Sequence, residues 1–111
     1  MSADAGALTE RITLQSRPTG QDELGAETGS WSDVATVWAQ AEPLRGREYF
    51  AAGQMQNAAD VRFRLRYRAG VLPSMRVLWR GVAHDIVDVI DVGGQRHTLE
   101  LMTVTGVRDG R

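Results

Sequence analysis

Four arginines at alternate positions form the most chemically loaded spacing in this sequence. Across residues 60–68 (DVRFRLRYR), Val61, Phe63, Leu65 and Tyr67 alternate with Arg62, Arg64, Arg66 and Arg68. This is the period of a strand with one apolar face and one cationic face. Successive guanidinium groups on such a face stand about 6.8 Å apart, twice the rise per residue. Like charges that close repel, so the stripe pairs with acids on a neighbouring strand, stays hydrated, or meets an anionic partner. All the basic residues of the chain are Arg. The guanidinium fork suits carboxylates and phosphates, although drift toward Arg codons gives the same composition.

The remaining reactive side chains do not converge. His84 and His97 fall near opposite ends of the last predicted hairpin, facing Thr103 and Ile90, so they read as partly exposed strand histidines rather than metal ligands or acid–base groups. Asp85, Asp88 and Asp91 recur every third residue. Period two sends Asp88 to the face opposite the other two, which defeats a carboxylate metal cage. There is no cysteine, which removes disulfides, thiolate zinc sites and thiol nucleophiles. No GxxxxGK[ST] phosphate loop occurs. The expectation is a protein that is not an enzyme, with no catalytic residue, no metal and no cofactor.

Turn formers divide the chain into short segments spaced like the strands of an all-β domain. Strands are expected over residues 8–16, 31–42, 60–68, 75–80, 82–92 and 95–104. Residues 17–30 (RPTGQDELGAETGS) resist both helix and strand and read as a long loop. Residues 44–59 (LRGREYFAAGQMQNAA) alone have helical character, with Tyr49, Ala52, Met55 and Ala59 gathered loosely on one side. Gly53 weakens that helix by about 1 kcal/mol, so the segment is expected to be weakly helical or to order on contact. Gly93 and Gly94 suit a two-residue type I′ turn, which would set Asp91 against Arg96, Ile90 against His97, Val87 against Glu100 and Ile86 against Leu101. The aromatics Trp31, Trp38, Tyr49, Phe50, Phe63, Tyr67 and Trp79 are assigned to core packing.

The expected fold is a small six-stranded β-barrel, or a compact sandwich, with one short helix or mobile segment inserted between the second and third strands. The 111 residues, 42% hydrophobic and 24% charged, correspond to one domain with an ordered core over about residues 8–104. A net charge of −1 argues against a dedicated nucleic-acid binder. No apolar run approaches the roughly 20 residues of a membrane span, and residues 1–11 lack the pattern of a secretory signal. The default is a cytoplasmic protein without membrane contact.

Over residues 8–104 the order of segments resembles the phage head-tail joining proteins, also called head-closure or stopper proteins. The likeness is carried by RITLQ, DELGAETGSW, DVATVWAQAEPLRGREYFAA, VRFRLRYRAG, MRVLWRG, HDIVDVID and RHTLEL. The most specific part is WAQAEPLRGRE followed by RLRYRAG and MRVLWRG. His84 stands where an aromatic is more often expected. The resemblance implies a virion neck protein, assembled in the host cytoplasm as a homo-oligomeric ring between the portal and adaptor on the head side and the tail terminator or tail tube on the other. Packaged double-stranded DNA would pass through the ring, which would seal the channel and dock the tail. It also makes residues 44–60 the candidate channel or ring-interface segment, with Arg45, Arg47, Glu48, Tyr49, Phe50, Gln54, Met55 and Gln56 as contact residues. Arg62, Arg64, Arg66 and Arg68 are the candidate face for an anionic partner. The competing expectations are a stand-alone nucleic-acid-binding barrel and a tail-completion protein at the same joint.

Overall fold

The alternation that defines the Arg-bearing strand recurs in five further strands, and the six close on one another. A computed structural model describes residues 8–18, 20–21, 27–44 and 59–105. Its strands are β1 (Glu10–Ser16), β2 (Gly20–Gln21), β3 (Glu27–Thr28), β4 (Ser32–Pro43), β5 (Val61–Arg66), β6 (Arg76–Trp79), β7 (Val82–Asp91) and β8 (Thr98–Thr105). A closed barrel runs β1-β4-β5-β8-β7-β6, and β2 pairs only with β3. Every pairing is antiparallel. The six-stranded barrel is therefore as the sequence predicts. The small β2–β3 ladder is a correction, because it lies within a stretch expected to lack strands.

Burial follows the pleat. On β5, Val61, Phe63 and Leu65 point inward, while Arg62, Arg64 and Arg66 lie outside. Ile12 and Leu14 of β1, Ala39 of β4, Val77 of β6, Ile86 of β7, and Leu99 and Leu101 of β8 complete the centre, and Val71 and Met75 from the β5–β6 connection pack against it. Phe63 is fully buried, edge-on to Trp79 at 5.4 Å and to His84 at 5.6 Å. Closure removes most edges in a chain too small to cover them with a second layer.

The last hairpin departs from expectation. Asp91 pairs with Leu99, Ile90 with Glu100 and Val89 with Leu101. Gly93 and Gly94 do adopt positive φ, but they belong to a 3-10 turn over Val92–Gly94. Arg96 is also left-handed, at φ 59°, and its N–H donates to Asp91 Oδ1 at 3.0 Å. The turn is thus wider than two residues, and the strand resumes only at Thr98. The two-residue turn with both φ values positive lies instead at Arg80 and Gly81 (52° and 79°), between the paired residues Trp79 and Val82. Those angles match the right-handed twist of the flanking strands.

A bulge between Ile86 and Asp88 further shifts the register. With Val87 left over, Asp85 opposes Val104 and Asp88 opposes Met102, while Asp91 opposes Leu99. Asp85 and Asp88 therefore share a face and Asp91 lies on the other, which corrects the parity read from strict alternation.

Candidate interaction surfaces

Two surfaces singled out by the sequence meet the barrel at different places. The contact residues Arg45, Arg47, Glu48, Tyr49, Phe50, Gln54, Met55 and Gln56 lie outside the described residues, as does the expected helix, but the points where that segment leaves and rejoins the barrel are defined. Pro43, the last residue of β4, pairs with Val61, the first of β5. The Leu44 N–H donates to the Asp60 carbonyl at 2.7 Å, and the Asp60 N–H donates to the Thr103 carbonyl at 2.7 Å. Thr103 Oγ1 donates to the Val61 carbonyl at 2.8 Å, and the Thr105 N–H to Asp60 Oδ2 at 3.0 Å. Three strands thus pin the base of the insertion.

The arginine stripe divides into two halves. Arg62 binds Glu42 on β4 through Nε at 3.1 Å and its terminal nitrogen at 2.5 Å. Arg64 forms a two-nitrogen contact with Glu100 Oε2 on β8, its Nε at 3.0 Å. The register supplies both acids, since Glu42 is the cross-strand partner of Arg62 and Glu100 that of Arg64. Arg66 is exposed and has Thr98 as its strand partner. Arg68 lies beyond the strand, with a buried Nε that has no hydrogen-bond partner among the described residues. No ion pair to Arg66 or Arg68 occurs among the described residues.

The free half sits beside an aromatic that sequence reasoning assigns to the core. Trp38 is 51% exposed, with the Arg11 guanidinium 4.9 Å from its ring centroid. Ala39 pairs with Leu65, so continuing the register one step sets Trp38 across from Arg66. The row Arg11, Trp38, Arg66 therefore crosses three adjacent strands. Beside it a groove of about 300 Å³ is lined by Leu8, Val37, Trp38, Leu65, Arg66, Tyr67 and Arg68. Trp31 likewise stacks with Arg76 at 4.3 Å. Phe63 follows the core assignment, and Tyr67 and Trp79 pack partly against the core. Trp38 does not. Its neighbour Ala39 is the buried residue at this point of β4, so the pleat sends Trp38 outward. The inward and outward sets of β4 are the only signal in the sequence that points to this.

Two smaller polar clusters fix the ends of strands. Glu10 accepts from Trp79 Nε1 at 3.0 Å and from Arg80 through two nitrogens at 3.0–3.2 Å. The Trp79 hydrogen bond, followed by the Arg80 guanidinium, holds the Glu10 carboxyl below its ordinary range, against the opposing effect of desolvation. Gln15 links β6 to β4, accepting from Arg76 Nε at 2.8 Å and donating to Asp33 at 2.8 Å.

The histidines separate sharply. His97 is exposed in the β7–β8 connection and pairs with no residue of β7. His84 is only 4% exposed, between Phe63 and Trp79, and opposite Thr105 rather than Thr103. The expectation of two partly exposed strand histidines therefore fails for His84. Burial depresses its pKa, with the charges of Asp60 and Asp85 opposing that effect. No group of three His, Cys, Asp or Glu side chains suited to a metal occurs among the described residues.

Residues 3–106 match the family of phage head completion proteins. Over 100 residues, 89% of each chain, the sequence is 30% identical to head completion protein gp16 of Bacillus phage SPP1. The fold is also similar to the solution structure of protein SF1141 from Shigella flexneri 2a. That likeness has a TM-score of 0.72 and 25% identity, and it covers 96% of this chain and 99% of that one.

Proposed function

This chain belongs to the phage head completion protein family, and from that premise we propose that it closes the head-to-tail joint of a tailed phage or prophage particle. In this reading it is a structural virion protein. Copies form a ring that continues the DNA channel below the portal and adaptor, seals it after packaging, and presents a docking surface to the tail. The observation that carries the reading is the extent of the match, since the whole barrel and the insertion fall within residues 3–106.

The mechanism is one of shape and multiplicity. A closed symmetric assembly repeats each modest contact around the ring, so weak pairwise interfaces add up to a stable collar. The barrel serves as a rigid body. The insertion, anchored by the Leu44–Asp60 and Asp60–Thr103 hydrogen bonds, is the part directed at the channel or at a neighbouring subunit. Arg45, Arg47 and Glu48 supply its charged contacts, and Tyr49 and Phe50 its apolar ones. Because Glu42 and Glu100 already neutralise Arg62 and Arg64, the anionic partner of the stripe is met by Arg66 and Arg68.

Particles made without this protein, and particles carrying a deletion of residues 49–56, test the reading. Loss of packaged DNA and failure to join tails are expected without the protein. With the deletion, leakage is expected while the protein stays on the particle. If filled heads lacking the whole protein hold their DNA and accept tails normally, the joint-closing reading is wrong. If only the deletion is silent, the assignment of the insertion is wrong.

A further inference from the structure

Polar contacts at the end of the barrel where β4 stops and β5 starts lead to one buried ring. Asp60 is their hub. Its carbonyl accepts from the Leu44 N–H and its own N–H donates to the Thr103 carbonyl, both at 2.7 Å, while its Oδ2 accepts from the Thr105 N–H at 3.0 Å. Thr105 stands opposite His84 in the β7–β8 ladder, and its hydroxyl lies 3.4 Å from His84 Nδ1. A short path therefore runs from His84 through Thr105 to the residue at which β4, β5 and β8 meet.

His84 puts a titratable ring into an aromatic slot. It is buried, with the rings of Phe63 and Trp79 at 5.6 Å and 5.7 Å. Nδ1 faces the Thr105 hydroxyl, and the buried Nε2 has no hydrogen-bond partner among the described residues. A neutral imidazole donates from one nitrogen only and fits such a place. An imidazolium carries two N–H donors and a charge, and keeping either buried without an acceptor is costly.

The surroundings leave one group to meet that demand. β6 presents Val77 and Trp79 to the ring, β5 presents Phe63 and β8 presents Thr105, and none of these is charged. Glu10 of β1 is engaged by Trp79 Nε1 and Arg80. Asp85, the next residue of β7, lies on the other face of the strand, opposite Arg76. That leaves Asp60, whose charge is the larger of the two that raise the His84 pKa against the effect of burial. Thr105 links ring and carboxylate, so drawing the two together displaces it.

We propose that His84 is a proton-operated latch for this end of the barrel: the neutral ring keeps Thr105 and Asp60 in place, and protonation draws the ring to Asp60 and breaks the Thr105–Asp60 and Leu44–Asp60 hydrogen bonds while the rest of the barrel stays folded. Acid thereby loosens the seam between β4, β5 and β8 ahead of any global unfolding. The latch is a property of the fold and does not depend on the joint-closing reading.

Amide hydrogen exchange of the full-length chain, followed by NMR and corrected for the intrinsic pH dependence of exchange, tests it on either side of the pH at which the His84 ring protons titrate. Protection at Leu44 and Thr105 should fall by about tenfold or more on the acid side, while Phe63 and Leu101 in the β5–β8 ladder keep theirs. A uniform fall that includes Phe63 and Leu101, unchanged or increased protection at Leu44 and Thr105, or a ring that stays neutral until the barrel unfolds overturns the inference. In His84→Phe the local fall should vanish, and its persistence assigns the loosening to another group and overturns the inference. Asp60→Asn keeps the main-chain contacts of residue 60 and removes its charge. The His84 pKa should then drop further, and an unchanged value overturns the link between the two residues.

Discussion

Arg64 and Glu100 stand directly opposite one another on β5 and β8, and the acid of this pair is more enclosed than that of the Arg62 or the Arg80 pair: the Glu100 side chain is 14% exposed, against 50% for Glu42 and 26% for Glu10. Enclosure decides how much each pair contributes. An exposed pair adds roughly 0–1 kcal/mol, while removing one partner of a sheltered, hydrogen-bonded pair leaves the other charge poorly solvated. Arg64→Ala should therefore destabilise the barrel by about 1–2 kcal/mol, and Arg62→Ala by about 0.5 kcal/mol or less. Urea unfolding of the two variants checks the order. Equal losses would mean that enclosure of Glu100 contributes nothing.

The centre of the barrel depends on one ring. Phe63 is fully buried and meets both Trp79 and His84 edge-on. Phe63→Ala should cost about 3–5 kcal/mol, because it loses the ring's transfer energy and leaves a hole that a closed barrel cannot collapse to fill. For a domain this small, that is a large share of total stability. Thermal denaturation followed by circular dichroism should show a much lower midpoint or no cooperative transition.

Buried His84 gives the fold a pH dependence of definite sign. Desolvation holds its pKa in the folded state below the 6.5 of an ordinary histidine, so the unfolded chain takes up its proton first as pH falls. Stability is then complete above about pH 6.5 and declines below it, toward the folded-state pKa. His84→Phe, an apolar aromatic between Phe63 and Trp79, should flatten that slope between neutral pH and about pH 5. Denaturation midpoints across the range measure it, and an unchanged slope would assign the dependence to other groups.

Glu10, whose pKa is also lowered in the folded state, weakens the fold in the same direction but at lower pH. Its lowered pKa, caused first by the Trp79 indole N–H and then by Arg80, adds stability above the ordinary carboxylate pKa of 4.5 that is lost as acid protonates the folded state. Trp79→Phe removes the donor and keeps a ring in the core. In a carboxyl NMR titration, the Glu10 pKa should rise in that variant.

The tight hairpin at Arg80 and Gly81 should be sensitive to side-chain type without any steric clash. Gly81 has φ 79°, and a methyl group placed on its Cα would meet nothing within 4 Å. Gly81→Val should therefore cost about 1–2 kcal/mol through the backbone alone. A milder loss for Gly81→Asn, which tolerates the left-handed region, distinguishes conformational cost from crowding in the same unfolding experiment.

The strands are legible because their information is local. Alternation along residues 61–67 names the inward and outward faces without reference to any other part of the chain, and all six barrel strands fall where such patterns and turn residues place them. The last hairpin misleads because two adjacent glycines permit a two-residue turn without requiring it. The Asp91 side chain capping the Arg96 N–H favours a wider turn, and the Val87 bulge moves the register again. The surface is harder still. That Glu42 and Glu100 neutralise half of the arginine stripe, and that Trp38 stands between Arg11 and Arg66, depend on which strands become neighbours. No window of sequence contains that information, because residues 11, 38 and 66, and separately residues 64 and 100, become neighbours only once the barrel has closed.

The hydrogen bond from Leu44 to the Asp60 carbonyl, directly beyond the Pro43–Val61 pair, makes the two ends of the insertion meet at a single point. Chain closed at its own doorstep imposes little on the body that carries it, since the entropy of joining ends grows only slowly with length. Selection can therefore lengthen, shorten or rewrite residues 45–58 as a cassette while the scaffold keeps its register. Such modularity would let members of one family differ freely in this segment while sharing a single architecture.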